Sequence, residues 1–269
     1  MTSGTVSDGR DLPKQSEPAS GVTFSGTKWL LDGTPLERRA ALRGEYRDRA
    51  GWSGQFYLPE QEMRAMLRES IEDDDQLLVH AVGDRTAESF LNAMESQTRH
   101  VDWKPRRVRI EHGDGLLPDL IPRARDFGVI IVQNPSHFAF RDIFAERYGD
   151  QFDYSPARSL IEAGIPFALG SDGPLNPYLN LMFAVMHPAR PSEAITIEQA
   201  VEAYTRGSAF AEFQENEKGM IAPGKLADLA VLSQDIFTVP VGQLPGTESV
   251  MTMTAGEIVY SSGALTTVD

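Results

Sequence analysis

The chain has 269 residues, 41% of them apolar, no cysteine, and a formal charge of −14. Disulfides, thiolate chemistry and Cys-ligated metals are therefore excluded, and any bound ion must rest on His, Asp, Glu or a modified lysine. The acidic balance excludes steering towards phosphate backbones, and no run approaches the ~18 apolar residues of a membrane span, so neither nucleic acid nor a bilayer is expected as a partner.

Residues 1–20 are polar, with Ser, Gly, Pro and charge and no apolar signal core, and read as a disordered leader to a cytoplasmic protein. VTFSGTKWLL, from Val22, predicts a strand that stops at the turn Asp32–Gly33–Thr34–Pro35. LPEQEMRAMLRESI places Met63, Met66, Leu67 and Ile71 on one helical face, and Glu72–Asp75 reads as a solvated loop. QLLVHAVGD predicts a strand ending at His80, with Asp84 capping the next helix. VRIEHGDG predicts a strand ending at His112, followed by a helix over Pro118–Phe127 closed by Gly128. GVIIVQNP predicts the next strand. Ser155–Pro156 reads as an N-cap with proline in the first turn, Gly164 as the end of that helix, and IPFALGSDGP as a strand ending at Asp172. TIEQ, from Thr196 to Gln199, is a capping box.

Five strands alternate with helices, which predicts a parallel sheet with helices packed outside it. The barrel-like portion spans 21–218. From Gly219 the pattern becomes short alternating strands with glycine turns, and 219–269 reads as a small β domain.

His80, His112 and Asp172 share one position in the repeating unit, the carboxyl end of a strand, and Lys28 lies within the first strand. In parallel α/β folds such ends gather reacting groups on one face. Taken singly each has a plain structural reading: a histidine satisfied in the core, an aspartate shaping a turn, a lysine reaching the rim. His100 reads as a surface residue, and His137 and His187 could line a pocket with nothing to make them ligands. The shared position favours metal-assisted hydrolysis, with imidazoles and a carboxylate holding an ion and Asp172 acting as general base.

GTKWLLDGTPLERRAAL, LLVHAVGDRTAESFLNAME, RVRIEHGD, the long segment from IPFALGSDGP to RGSAFAEF, and GMIAPGKLADLAVL together resemble the amidohydrolase superfamily. The likeness is to the branch of YtcJ-like proteins and N-substituted formamide deformylase, and it runs from about Val22 to Tyr260. It implies a (β/α)8 barrel with an appended β-sandwich that hydrolyses a non-peptide carbon–nitrogen bond of an amide-like small molecule with one or two divalent ions, zinc first, with iron or manganese as options. It also implies that Lys28 is a carboxylated bridging ligand, that His80 and His112 are metal ligands, that Asp172 is ligand and general base, and that Asp228 is structural.

The family's first strand carries His-x-His, whereas the five histidines here, at 80, 100, 112, 137 and 187, include no such pair. Five β/α units rather than eight are expected, together with the carboxyl-terminal part of the sandwich, leaving two unpaired sheet edges. The chain therefore reads as the carboxyl-terminal half of such an enzyme, to be completed by an amino-terminal half; an oligomer of identical copies would not supply the missing pair. The alternatives are an inactive remnant serving as a binding module and a sugar-processing enzyme working through carboxylates. The paired histidines weigh against the last.

Overall fold

The computed structural model of the chain describes residues 25–149 and 152–264; the expected leader over 1–20 lies outside them. Five strands form one parallel sheet: β1 (Gly26–Leu30), β2 (Gln76–Ala81), β3 (Arg109–His112), β4 (Ile130–Gln133) and β5 (Phe167–Leu169), hydrogen-bonded in sequence order. The connections carry α1 (Glu60–Asp73), α2 (Asp84–Glu95), α3 (Ile121–Phe127), α4 (Arg141–Tyr148) and α5 (Arg158–Glu162). After β5 come α6 (Pro177–Met186), α7 (Ile197–Glu202), a π turn over Ala203–Gly207, and α8 (Ser208–Ala211). This is the predicted α/β architecture, five consecutive units of a barrel. Among the described residues the sheet does not close, and β1 and β5 are its edges.

Period-two alternation sorts the strand residues onto two faces. Leu31, Leu77, Val79, Ala81, Ile110, Ile131, Phe167 and Leu169 join Met63, Leu67, Phe90 and Leu91 in one core between sheet and helices. The opposite, concave face carries Lys28, His80 and Glu111. There Ile130, Val132 and Ala168 pack with Ala211 of α8. The Gln76 amide donates to the carbonyls of Arg107 and Ala211, at 2.9 and 2.8 Å, and holds α8 across the amino-terminal ends of β2 and β3.

The remaining strands, β6 (Leu229–Leu232), β7 (Ser249–Thr254) and β8 (Glu257–Ser261), form an antiparallel sheet. Asp228 Oδ1 accepts the Ala255 N–H at 2.8 Å at its edge, in keeping with a structural role. Among the described residues no helix is long and apolar enough to cross a membrane.

Three local expectations are corrected. Glu72 and Asp73 belong to α1, which ends at Asp74 in the left-handed region. Asp84 does not cap α2: it is the first helical residue, after Gly83, where a Cβ would lie 2.0 Å from the Ala41 carbonyl oxygen. The carboxylate that receives the Gly83 N–H comes from Asp32 at the end of β1. Ser155 is no N-cap either; it has φ +56° and donates its hydroxyl to buried Asp114, so α5 starts after Ala157. The Thr196–Gln199 capping box is present as expected.

Candidate metal centre

The sharp stop after Glu111 has a backbone cause. His112 and Gly113 both have positive φ, +73° and +63°, so the chain leaves the sheet in two left-handed steps. For a histidine this conformation costs on the order of 1–2 kcal/mol. It turns the imidazole over the strand end, where its ring centroid lies 4.5 Å from that of His80. Asp172, three residues beyond β5, is also left-handed, with φ +39°.

Asp172 Oδ2 lies 3.8 Å from His112 Nε2. Lys28, His112 and Asp172 line one open cleft of about 380 Å³ on the concave face, within the size range of small-molecule sites. His80 stands beside His112, buried, with no hydrogen-bond partner for its Nε2 and with Asp32 Oδ1 3.9 Å away. A buried imidazole nitrogen without a hydrogen-bond partner, 3.9 Å from a carboxylate oxygen, suits a cation.

Electrostatics favour the neutral imidazoles that metals bind. Burial pushes His80 from 6.5 down to about 4, and the Lys28 charge adds to this. Burial lowers His112 to about 2, helped by His80, His137 and Lys28. Nitrogen and oxygen donors without sulfur, in these protonation states, fit a divalent ion.

Three residues near the site were not singled out as ligands or supports by sequence. His137 follows β4 in a short 3-10 turn over Pro135–Ala139, its Nε2 3.9 Å from Asp172 Oδ2 and 3.2 Å from the Asp172 carbonyl oxygen. His112, His137 and Asp172 each offer a donor atom within 4.8 Å of the others. A strand-end filter passes over His137 because it lies four residues beyond Gln133. The usable signal was an offset like that of Asp172 past β5. Asn134 Nδ2 faces His112 Nδ1 at 3.2 Å. Asp32, fully buried, accepts from the N–H groups of Ala41, Val82 and Gly83 and from the Thr86 hydroxyl. Burial still raises it to about 6 against those bonds.

The other two histidines lie elsewhere. His100 is exposed in a turn. His187 is buried at the end of α6, stacked 3.9 Å from the Phe138 ring, with both nitrogens used by the backbone of Ser155 and Arg190.

The sequence model of the Amidohydrolase family matches residues 4–260. YtcJ of Bacillus subtilis, named as an amidohydrolase, is 32% identical over 268 residues, covering 93% of this chain and 50% of YtcJ. The N-substituted formamide deformylase of Arthrobacter pascens is 28% identical over 197 residues, covering 68% of this chain and 36% of that enzyme. A crystal structure of a metal-dependent hydrolase from Pyrococcus furiosus superposes with a TM-score of 0.72 at 23% identity, over 80% of this chain and 46% of that one. The chain thus spans half, or less, of the length of these relatives.

Proposed function

The chain belongs to the amidohydrolase family, and from that premise we propose that it carries a metal-dependent hydrolytic site for a non-peptide carbon–nitrogen bond in an amide-like small molecule. The observation that carries the reading is that His112, at the end of β3, and Asp172, in the turn after β5, meet 3.8 Å apart in the cleft that Lys28 also lines, with buried His80 beside His112.

His80 and His112 would hold the ion through neutral nitrogens, with Asp172 as the carboxylate ligand. Lys28, once carboxylated, would supply oxygen to a second ion. Bound by these nitrogen and oxygen donors, a divalent ion such as zinc, iron or manganese would supply a water of lowered pKa, about 7 in the case of zinc. Asp172 has a side chain 62% exposed at the mouth of the cleft. Its carboxylate takes a proton from the attacking water and returns it to the departing amine. The Arg109–Glu111 pair, 2.7 Å apart on the concave face, gives the cleft wall a fixed polar surface that can orient a substrate carbonyl or amine.

The test is elemental analysis of the monodisperse protein. Near-stoichiometric zinc, iron or manganese, lost on His112→Ala, supports the reading; a folded chain that takes up none of these ions rejects it.

A further inference from the structure

We infer that His137 is a ligand of the same ion as His112 and Asp172, so that donors at the end of β3 and in the turns after β4 and β5 meet at one ion. The inference rests on the metal-dependent reading above and adds to it a residue outside the strand-end set.

Spacing comes first. A tetrahedral zinc with bonds of about 2.0–2.1 Å sets neighbouring donors roughly 3.3–3.4 Å apart. Asp172 Oδ2 lies 3.8 Å from His112 Nε2 and 3.9 Å from His137 Nε2, so each contact needs to shorten by only about half an ångström. Among the described residues, His112, His137 and Asp172 form the one group of three such donors within 4.8 Å of one another.

Orientation agrees. The His112 and His137 rings are stacked 5.6 Å apart at an interplanar angle of 17°, and both present Nε2 to the same carboxylate oxygen. His137 Nε2 also faces the Asp172 carbonyl oxygen at 3.2 Å. With its proton on Nε2 the ring simply donates to that carbonyl. With the proton on Nδ1, the Nε2 lone pair points at two oxygens of one residue, an arrangement that a cation between them relieves. His137 therefore has a resting partner when the ion is absent and a ligating tautomer when it is present.

The backbone holds these donors from three separate turns. His112 and Asp172 are fixed by left-handed residues. His137 is fixed by its 3-10 turn, whose Ser136 donates its N–H to Asn180 at 3.0 Å and its hydroxyl to the Ser171 carbonyl at 2.9 Å. The second of these ties the turn after β4 to the residue just before Asp172.

The experiment is a cobalt(II) titration of the metal-stripped full chain, followed by equilibrium dialysis and by visible ligand-field absorption. The wild-type chain should take up one cobalt with the intense bands of a low-coordinate site. His137→Ala and His137→Asn should each weaken binding at least tenfold and alter the bands, while His100→Gln, outside the site, stays within about threefold. A loss in His137→Asn with an unchanged circular dichroism spectrum and melting temperature cannot be ascribed to unfolding. Unaltered affinity and bands in His137→Asn, with loss in His112→Ala, would remove His137 from the ligands and leave the hydrolytic reading standing. No uptake by the folded wild-type chain would overturn both.

Discussion

Along β2, Leu77, Val79 and Ala81 face the helices and are at most 2% exposed, whereas on neighbouring β1 Lys28 and Leu30 stand exposed on the concave side. One sheet thus has a face that holds the fold together and a face that gathers chemistry. On the first face, apolar side chains of the sheet pack against apolar side chains of the helices, and buried Gln133 is a polar exception. On the second, Lys28, His80, Glu111 and Arg109 are polar residues at positions where a closed core would place apolar ones. The difference lies in the side chains, since both faces share the same backbone. Stability and ion binding should therefore respond to different substitutions.

The face that stabilises the fold was the more legible one. Met63, Met66 and Leu67 recur at helical spacing and are buried where that spacing puts them. The parallel strands read as continuous apolar runs because both their faces are covered over much of their length. Turn chemistry was harder. Asp84 and Ser155 carry capping side chains, yet those side chains are engaged elsewhere: Asp84 accepts the Arg43 N–H, and Ser155 binds Asp114. A cap can also come from a distant strand, as Asp32 shows, and no local pattern reveals that. On the chemical face, the strand-end positions of His80 and His112 were readable. His137 was not, because its place depends on a 3-10 turn whose geometry is set by tertiary bonds to Asn180 and Ser171.

The largest effect expected is on the helix-covered face. Phe90 is fully buried between α2 and the sheet, and Phe90→Ala should cost about 3–5 kcal/mol in urea unfolding. That is a large share of a typical domain's stability. Metal affinity per folded chain should stay unchanged. If the ion were lost while the chain remained folded, the two faces would not be separable.

Next comes an effect of pH on a histidine that takes no part in the site. Burial lowers His187 from its ordinary 6.5 to about 4, and Nδ1 must remain unprotonated to accept the Arg190 N–H at 3.0 Å. The unfolded chain binds this proton near 6.5 and the folded chain only near 4. The contribution of His187 is therefore complete above about pH 6.5 and is lost as pH falls between those values. From pH 7 to 5 the loss is about 2 kcal/mol. His187→Asn tolerates the left-handed backbone at this position, φ +42°, and retains an acceptor in place of Nδ1. In metal-free protein its stability should fall less between pH 7 and 5, by that amount. Equal slopes would place the titration on groups other than His187.

A smaller effect belongs to the support of the concave face. Asn134 faces His112 Nδ1, and a metal on Nε2 requires that Nδ1 carry the proton and that the Asn134 side chain turn its oxygen to receive it. Asn134→Ala should lower cobalt affinity by about 10–100-fold, equivalent to roughly 1.4–2.7 kcal/mol. Asn134→Asp, an acceptor only, should keep or tighten it. If both variants behave as wild type, the orientation of His112 comes from its left-handed backbone alone.

Asp172 should show the smallest effect on stability and the sharpest separation of the two faces. Its side chain is 62% exposed, and its left-handed backbone suits asparagine at least as well as aspartate. Asp172→Asn should therefore leave the melting temperature within a few degrees, as expected of a surface change within about 0.5 kcal/mol. The amide keeps the size and a neutral oxygen but cannot take up a proton at catalytic pH. Made at the equivalent position of a full-length relative such as YtcJ, the substitution should lower turnover by about 100-fold or more, the scale of a lost general base. Retained turnover would assign proton transfer to another group, and the carboxylate would then serve the ion alone. A large fall in melting temperature would instead mean that this exposed strand end carries stability, and that the division between the faces fails at its rim.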